Sequence, residues 1–172
     1  MTYNPDVHRR RSLRLPGYDY RGSGGYFVTI CAQDRACLFG EIVGDRMQLN
    51  GAGLMVHTAW NELPAFYPSV GIDGFVVMPN HLHGIINRPD DIHDVTLSLG
   101  DVVQRFKTIT TTRYITGVRR SGWQRFRGRL WQRNYYEHVV RDDDDRNRIR
   151  RYIHENPLRW SLDPANPGAP IL

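Results

Sequence analysis

A chain of 172 residues with 40% apolar and 11% aromatic content can bury one core and is too short for two independent ones. No apolar run reaches the length that spans a bilayer, and the opening MTYNPDVHRRRSLRLP has no apolar segment behind its charges, so neither export nor a membrane partner is expected and a cytoplasmic place is. The net charge of +5 and a pI near 9.5 favour a polyanionic partner. Lys107 is the only lysine, so arginine supplies every other basic side chain, with a planar fork suited to phosphate; a GC-rich genome would enrich arginine equally. Cys31 and Cys37 are too sparse for a disulfide framework and lack the second pair that zinc would need.

In chain order, residues 1–22 read as a basic arm carrying Arg9, Arg10, Arg11, Arg14 and Arg21. YFVTICA at 26–32 follows the turn signal at 22–25 and predicts a core strand. Short strands at 38–43 and 46–49 flank a Gly44-Asp45 turn. Asn50 caps a helix predicted over 51–63 and ended by Pro64. Residues 71–78 and 81–87 read as two apolar strands broken by Pro79-Asn80, and 88–97 as an acidic loop. Ser98 and Asp101 resemble a capping box before a helix from Leu99 to about Ile115, with Gly117 as its stop. A last helix is expected to begin within Asp142–Asp145 and end before Pro157, with Ile149, Tyr152 and Ile153 inward. The implied organisation is an arm (1–22), one α+β domain (23–160) and a proline-rich tail (161–172).

The sharpest local motif is His81-Leu82-His83. Side chains two apart on a strand share a face, so the two imidazoles can meet one metal while Leu82 points into the core. Spacing alone does not separate that reading from two polar residues on a sheet face. Between 119 and 133, Arg119, Arg120, Arg125, Arg127, Arg129 and Arg133 interleave with Trp123, Phe126 and Trp131, as a single-strand-binding surface would, or as a solvated loop with structural tryptophans would.

The stretches RLPGYDY (14–20), YFVTICAQDR (26–35), FGEIV (39–43), FVVMPNHLHGII (75–86), LWQRNYYEHVVR (130–141) and YIHENPLRW (152–160) together resemble the REP-associated tyrosine transposases, members of the single-tyrosine HUH transposase superfamily. The resemblance implies a ferredoxin-like α+β fold: an antiparallel sheet carrying both histidines, with a tyrosine-bearing helix packed on it. It implies metal-dependent nicking and strand transfer on single-stranded DNA with REP-like hairpins, through a 5′-phosphotyrosine intermediate. The divalent ion, Mg2+ or Mn2+, would be held by His81 and His83, and the resemblance leans to a monomer, with a dimer open.

Carried onto this chain, the nucleophile is expected on the long helix after the histidine strand, where the only tyrosine is Tyr114; Tyr135, Tyr136 and Tyr152 are its rivals. The superfamily places a polar metal ligand one helical turn after the tyrosine, but after Tyr114 that position is Val118. The third ligand is therefore unassigned, with Glu137 or His138 available if their segment folds back. DNA contacts are expected from the arm arginines, Lys107 and the six arginines of 119–133. Two rival readings stand beside the nuclease: a catalytically inactive DNA-binding protein of the same fold, and an RNA-binding module.

Overall fold

The β-branched and aromatic run after Gly22-Ser23-Gly24-Gly25 forms the first and central strand, β1 (Gly24–Cys31). The computed structural model describes residues 24–88 and 97–169. The basic arm with Arg9, Arg10, Arg11 and Arg14, and almost all of the acidic loop, lie outside the described residues. After β1 come β2 (Gly40–Val43), β3 (Arg46–Leu49), α1 (Gly51–Asn61), α2 (Leu63–Phe66), β4 (Gly71–Val77), β5 (His81–Arg88), α3 (Leu99–Ser121), β6 (Tyr136–Val140) and α4 (Asp143–Glu155). A 3-10 turn over Pro157–Leu162 follows.

Four strands form one antiparallel sheet in the order β4-β5-β1-β6, while β2 and β3 make a separate ribbon. With α1 and α3 as the crossovers, this is the ferredoxin-like α+β arrangement. The strand β6 has no counterpart among the predicted elements: YEHVV is short and carries Glu137 and His138 side by side, so its period is hard to read.

Alternation along β5 divides the sheet into two faces. Leu82 and Ile86 join the main core with Val56, Trp60, Val102 and Phe106 from α1 and α3. Between them, Gly84 lets the Trp60 ring rest on bare backbone: a Cβ there would lie 2.4 Å from Trp60 Cζ2. His81, His83 and Ile85 point the other way. Ile85 packs with Phe27, Ile149 and Ile153, so α4 covers this second face. Asp73 on β4 accepts from Arg146 (3.2 Å) and Arg150 (2.8 Å), clipping α4 onto the sheet.

The expected stop at Gly117 is not a stop. Helix α3 runs on to Ser121, because Trp123 folds back over Gly117, where a Cβ would lie 2.1 Å from the indole. The capping box at Ser98 and Asp101 forms as expected, with Asp101 N–H donating to Ser98 Oγ at 3.2 Å.

Gly84→Ala is expected to lower stability by about 1–3 kcal/mol, the usual cost of overpacking, because Trp60 is fully buried and cannot yield. Urea unfolding checks this; an unchanged midpoint would mean that Trp60 has room to move off the strand.

Candidate active site

Pro79-Asn80 is a two-residue turn closed by Met78 N–H donating to His81 O at 2.7 Å, so His81 begins β5 at a rigid corner. Asn80 is 1% exposed and uses its whole side chain: Nδ2 donates to Arg35 O (2.9 Å) and Ala165 O (2.7 Å), and Oδ1 lies 2.8 Å from His81 Nδ1. An amide oxygen only accepts, so His81 carries its proton on Nδ1 and turns a lone pair outward from Nε2. His83 Nδ1 meets Thr29 Oγ1 at 2.7 Å. The two Nε2 atoms thus converge, 3.0 Å apart.

Burial holds both imidazoles in the neutral, ligating form. The His81 pKa falls to about 4, and that of His83 falls well below its usual value, from loss of solvent and then from the neighbouring His81.

Helix α4 brings the rest. Ile149, Tyr152, Ile153 and Asn156 lie at successive turns on its sheet-facing side. The Tyr152 hydroxyl is 3.5 Å from His83 Nε2, with the rings 5.2 Å apart. Burial raises the Tyr152 phenol pKa, and the nearby Asp163 carboxylate adds to this. Asn156 caps the helix, is 2% exposed, and its Oδ1 has no hydrogen-bond partner. Its amide interacts with both His81 and Tyr152.

Beyond the 3-10 turn, Asp163 Oδ2 reaches 3.9 Å from His81 Nε2. Ligand atoms of His81, His83 and Asp163 all lie within 4.8 Å of one another, a group that could hold a metal ion. The segment expected to be a tail is tied down beside them: Arg35 donates to Pro164 O (2.7 Å), and Ala165 N–H donates to Asp163 Oδ1 (2.7 Å).

Tyr114 is not brought to this group. It is fully buried in the core on the α1 and α3 side of the sheet, donates to Gln124 O at 2.9 Å, and is met edge-on by Trp123 and Phe126. The histidines point to the opposite face, so Tyr152, a rival in the sequence, is the tyrosine beside them. Glu137 and His138 do not join either. Glu137 pairs with Val28 in the register, which puts it on the α3 face, and His138 is held by Asp145 at 2.8 Å.

Lys107, expected at DNA, is instead 7% exposed, and its ammonium donates to the carbonyls of Gln132, Arg133 and Asn134. Arg119, Arg120, Arg125, Arg127, Arg129 and Arg133 are exposed. The aromatics between them turn inward: Trp131 donates to Thr110 Oγ1 at 2.8 Å and packs on Phe39. That surface is basic without offering rings.

Sequence reasoning missed Asn156 and Asp163. A signal for the first was present, because YIHEN satisfies the rule of a polar residue one helical turn after the tyrosine that Val118 breaks. Asp163 carries no such pattern and reaches the histidines only through the fold.

Residues 68–156 match the family described as Transposase IS200 like. An uncharacterised protein of Haemophilus influenzae is 41% identical over 94% of this chain and 95% of its own length. A second protein of that organism, named as a REP-associated tyrosine transposase, is 25% identical over 82% of this chain and 74% of its own. The solved structure of a REP-associated tyrosine transposase bound to a REP hairpin shares the fold, with a TM-score of 0.55 at 21% identity over 88% of this chain and 79% of that one. The chain belongs to the IS200-like transposase family, whose work is DNA processing. No helix among the described residues is long and apolar enough to cross a membrane.

Neutral buried histidines give the site a defined pH response. Their folded pKa values lie below the unfolded value of about 6.5, so the unfolded chain binds more protons as pH falls, and stability present above about pH 6.5 is lost toward pH 4. In metal-free buffer the loss by pH 5 is expected to be about 2 kcal/mol from His81, with His83 acting in the same direction. His83→Gln should flatten the urea-midpoint profile between pH 7 and 5; an equally steep profile in the variant would contradict the assignment.

Proposed function

We propose that this protein is a metal-dependent single-strand DNA nuclease and strand transferase in which Tyr152, not Tyr114, is the nucleophile. The observation that carries this is the Tyr152 hydroxyl at His83 Nε2 on the histidine face of the sheet. The donors present fit a divalent ion such as Mg2+ or Mn2+: two neutral imidazole nitrogens 3.0 Å apart, the unpartnered buried Oδ1 of Asn156, and the Asp163 carboxylate. When bound by His81, His83, Asn156 and Asp163, the ion would polarise the scissile phosphate and favour the phenolate.

Tyr152 Oη attacks phosphorus. A Tyr–O–P bond forms as the bond from phosphorus to the 3′ oxygen breaks, leaving a 5′-phosphotyrosine and a free 3′-hydroxyl. The phenol gives up one proton and the leaving oxygen takes one, so the step is proton-neutral, and attack by another 3′-hydroxyl reverses it. Asn80 and Thr29 hold the imidazoles through their Nδ1 atoms and keep both Nε2 lone pairs aimed at one point. Asp73 holds the helix that carries the nucleophile.

The exposed arginines of 119–133 would hold phosphates of a hairpin-bearing strand in the cytoplasm, and a single chain carries both histidines and tyrosine, which supports action as a monomer. Val118 one turn after Tyr114 would favour the rival reading of a catalytically retired DNA-binding protein; Asn156 one turn after Tyr152 supports the nuclease instead.

Incubation with end-labelled hairpin DNA, single-stranded flanks and manganese is expected to give a covalent adduct that Tyr152→Phe abolishes and Tyr114→Phe retains. An adduct lost only in Tyr114→Phe would overturn the assignment, and no adduct with any hairpin or metal would favour binding alone. His81→Ala and His83→Ala should remove cleavage and leave binding largely intact. Converting Arg125, Arg127 and Arg129 together to Ala should lower the slope of log affinity against log salt by roughly 2–3, about one for each phosphate no longer neutralised; an unchanged slope would take the strand off that surface.

A further inference from the structure

We infer that the ring of Tyr136 is a stacking subsite for the nucleobase next to the scissile phosphate, so that the strand enters the site over the β6 edge. The inference rests on Tyr152 as nucleophile.

Tyr136, Thr29 and His83 are register partners across β6, β1 and β5, and so lie in one row on one face of the sheet. Two strand spacings separate Tyr136 from His83 in the backbone, about 10 Å. Thr29 is the side chain that holds His83 Nδ1, so the row ties the subsite to the site.

Tyr136 is 49% exposed, unusual for a large ring bordering a buried polar cluster. It is backed rather than loose. Phe27 meets it edge-on at 6.3 Å, stacks on His83 at 5.5 Å, and meets Tyr152 edge-on at 5.9 Å. Among the described residues β6 is an edge strand, with no further strand beyond it.

The chemistry of that position is a fixed aromatic surface, open to solvent, beside the atom that attacks phosphate. A nucleobase fits it, and stacking is tolerant of sequence because every base has a π-face. The arginine segment does not supply this platform, since Trp131 and Phe126 are turned into the core against Phe39 and Tyr114. Phosphate holding and base stacking are thus divided between two faces of the protein.

The test uses hairpin oligonucleotides with 5-iodouracil at successive positions of the single-stranded flank, irradiated with Tyr152→Phe protein and mapped by mass spectrometry. A crosslink to Tyr136 at one position, adjacent to the bond that the native protein cleaves, is expected. Tyr136→Ala should slow adduct formation roughly fivefold to tenfold, toward the low end of what removing a base-stacking ring costs, and Tyr136→Phe should recover most of it. Wild-type rates in Tyr136→Ala with no crosslink at Tyr136 would overturn the subsite while leaving Tyr152 as nucleophile. A crosslink at Tyr136 in a protein that forms no adduct would instead keep the subsite and remove the nuclease reading. Equal slowing in Tyr136→Phe and Tyr136→Ala would assign the effect to the hydroxyl, contradicting stacking.

Discussion

The two-residue period of β5 governs the rest of the molecule. Leu82, Gly84 and Ile86 must face α1 and α3, and Trp60 must sit on the bare backbone of Gly84, for the core to close. Once that face is filled, His81 and His83 are forced onto the other side, together with Ile85. A slip of one residue would bury the histidines among α1 and α3 and expose three core positions. The placement of the histidine pair is therefore a by-product of core packing, and the helix that packs beside it has to come from the far side of the sheet.

That helix is α4, and its placement is electrostatic as much as hydrophobic. Asp142 and Asp145 organise its N-terminus, where Asp142 accepts from Asp145 N–H at 2.7 Å, and Asp73 pins its middle through Arg146 and Arg150. Only Ile149 and Ile153 are buried apolar anchors. With so small an apolar contact, the ion pairs set where Tyr152 and Asn156 fall relative to His83. The segment after α4 closes the other end, where Asn80, the residue before the histidines, ties together Arg35 and Ala165.

Much of this was legible in the sequence, and the failures have physical causes. The central strand, the β2 and β3 ribbon, the capping box and the histidine pair each have a local cause in periodicity, turn chemistry or a cap, and each is found where expected within a few residues. Gly117 misled because a helix-stop glycine and a close-packing glycine look the same until Trp123 is seen to fold onto it. Tyr114 lies away from the histidines for a related reason: α3 is the longest and most regular helix after them, but which face of the sheet a helix covers is a tertiary fact. Lys107 reads as a surface cation and is consumed by three carbonyls at the end of the 128–134 segment. Asp163 has no sequence signature, since its approach to His81 depends on a turn and two long-range bonds from the side chains of Arg35 and Asn80 to the carbonyls of Pro164 and Ala165.

Everything proposed for the site turns on which tyrosine becomes bonded to DNA. Trypsin digestion of the trapped covalent adduct, followed by mass spectrometry, separates the candidates because Tyr152 and Tyr114 fall in different peptides, 152–159 and 114–119. The nucleotide mass is expected on the 152–159 peptide, at Tyr152. The same mass on the 114–119 peptide would contradict that assignment, and would require the buried Tyr114 side to open before the chemistry could occur.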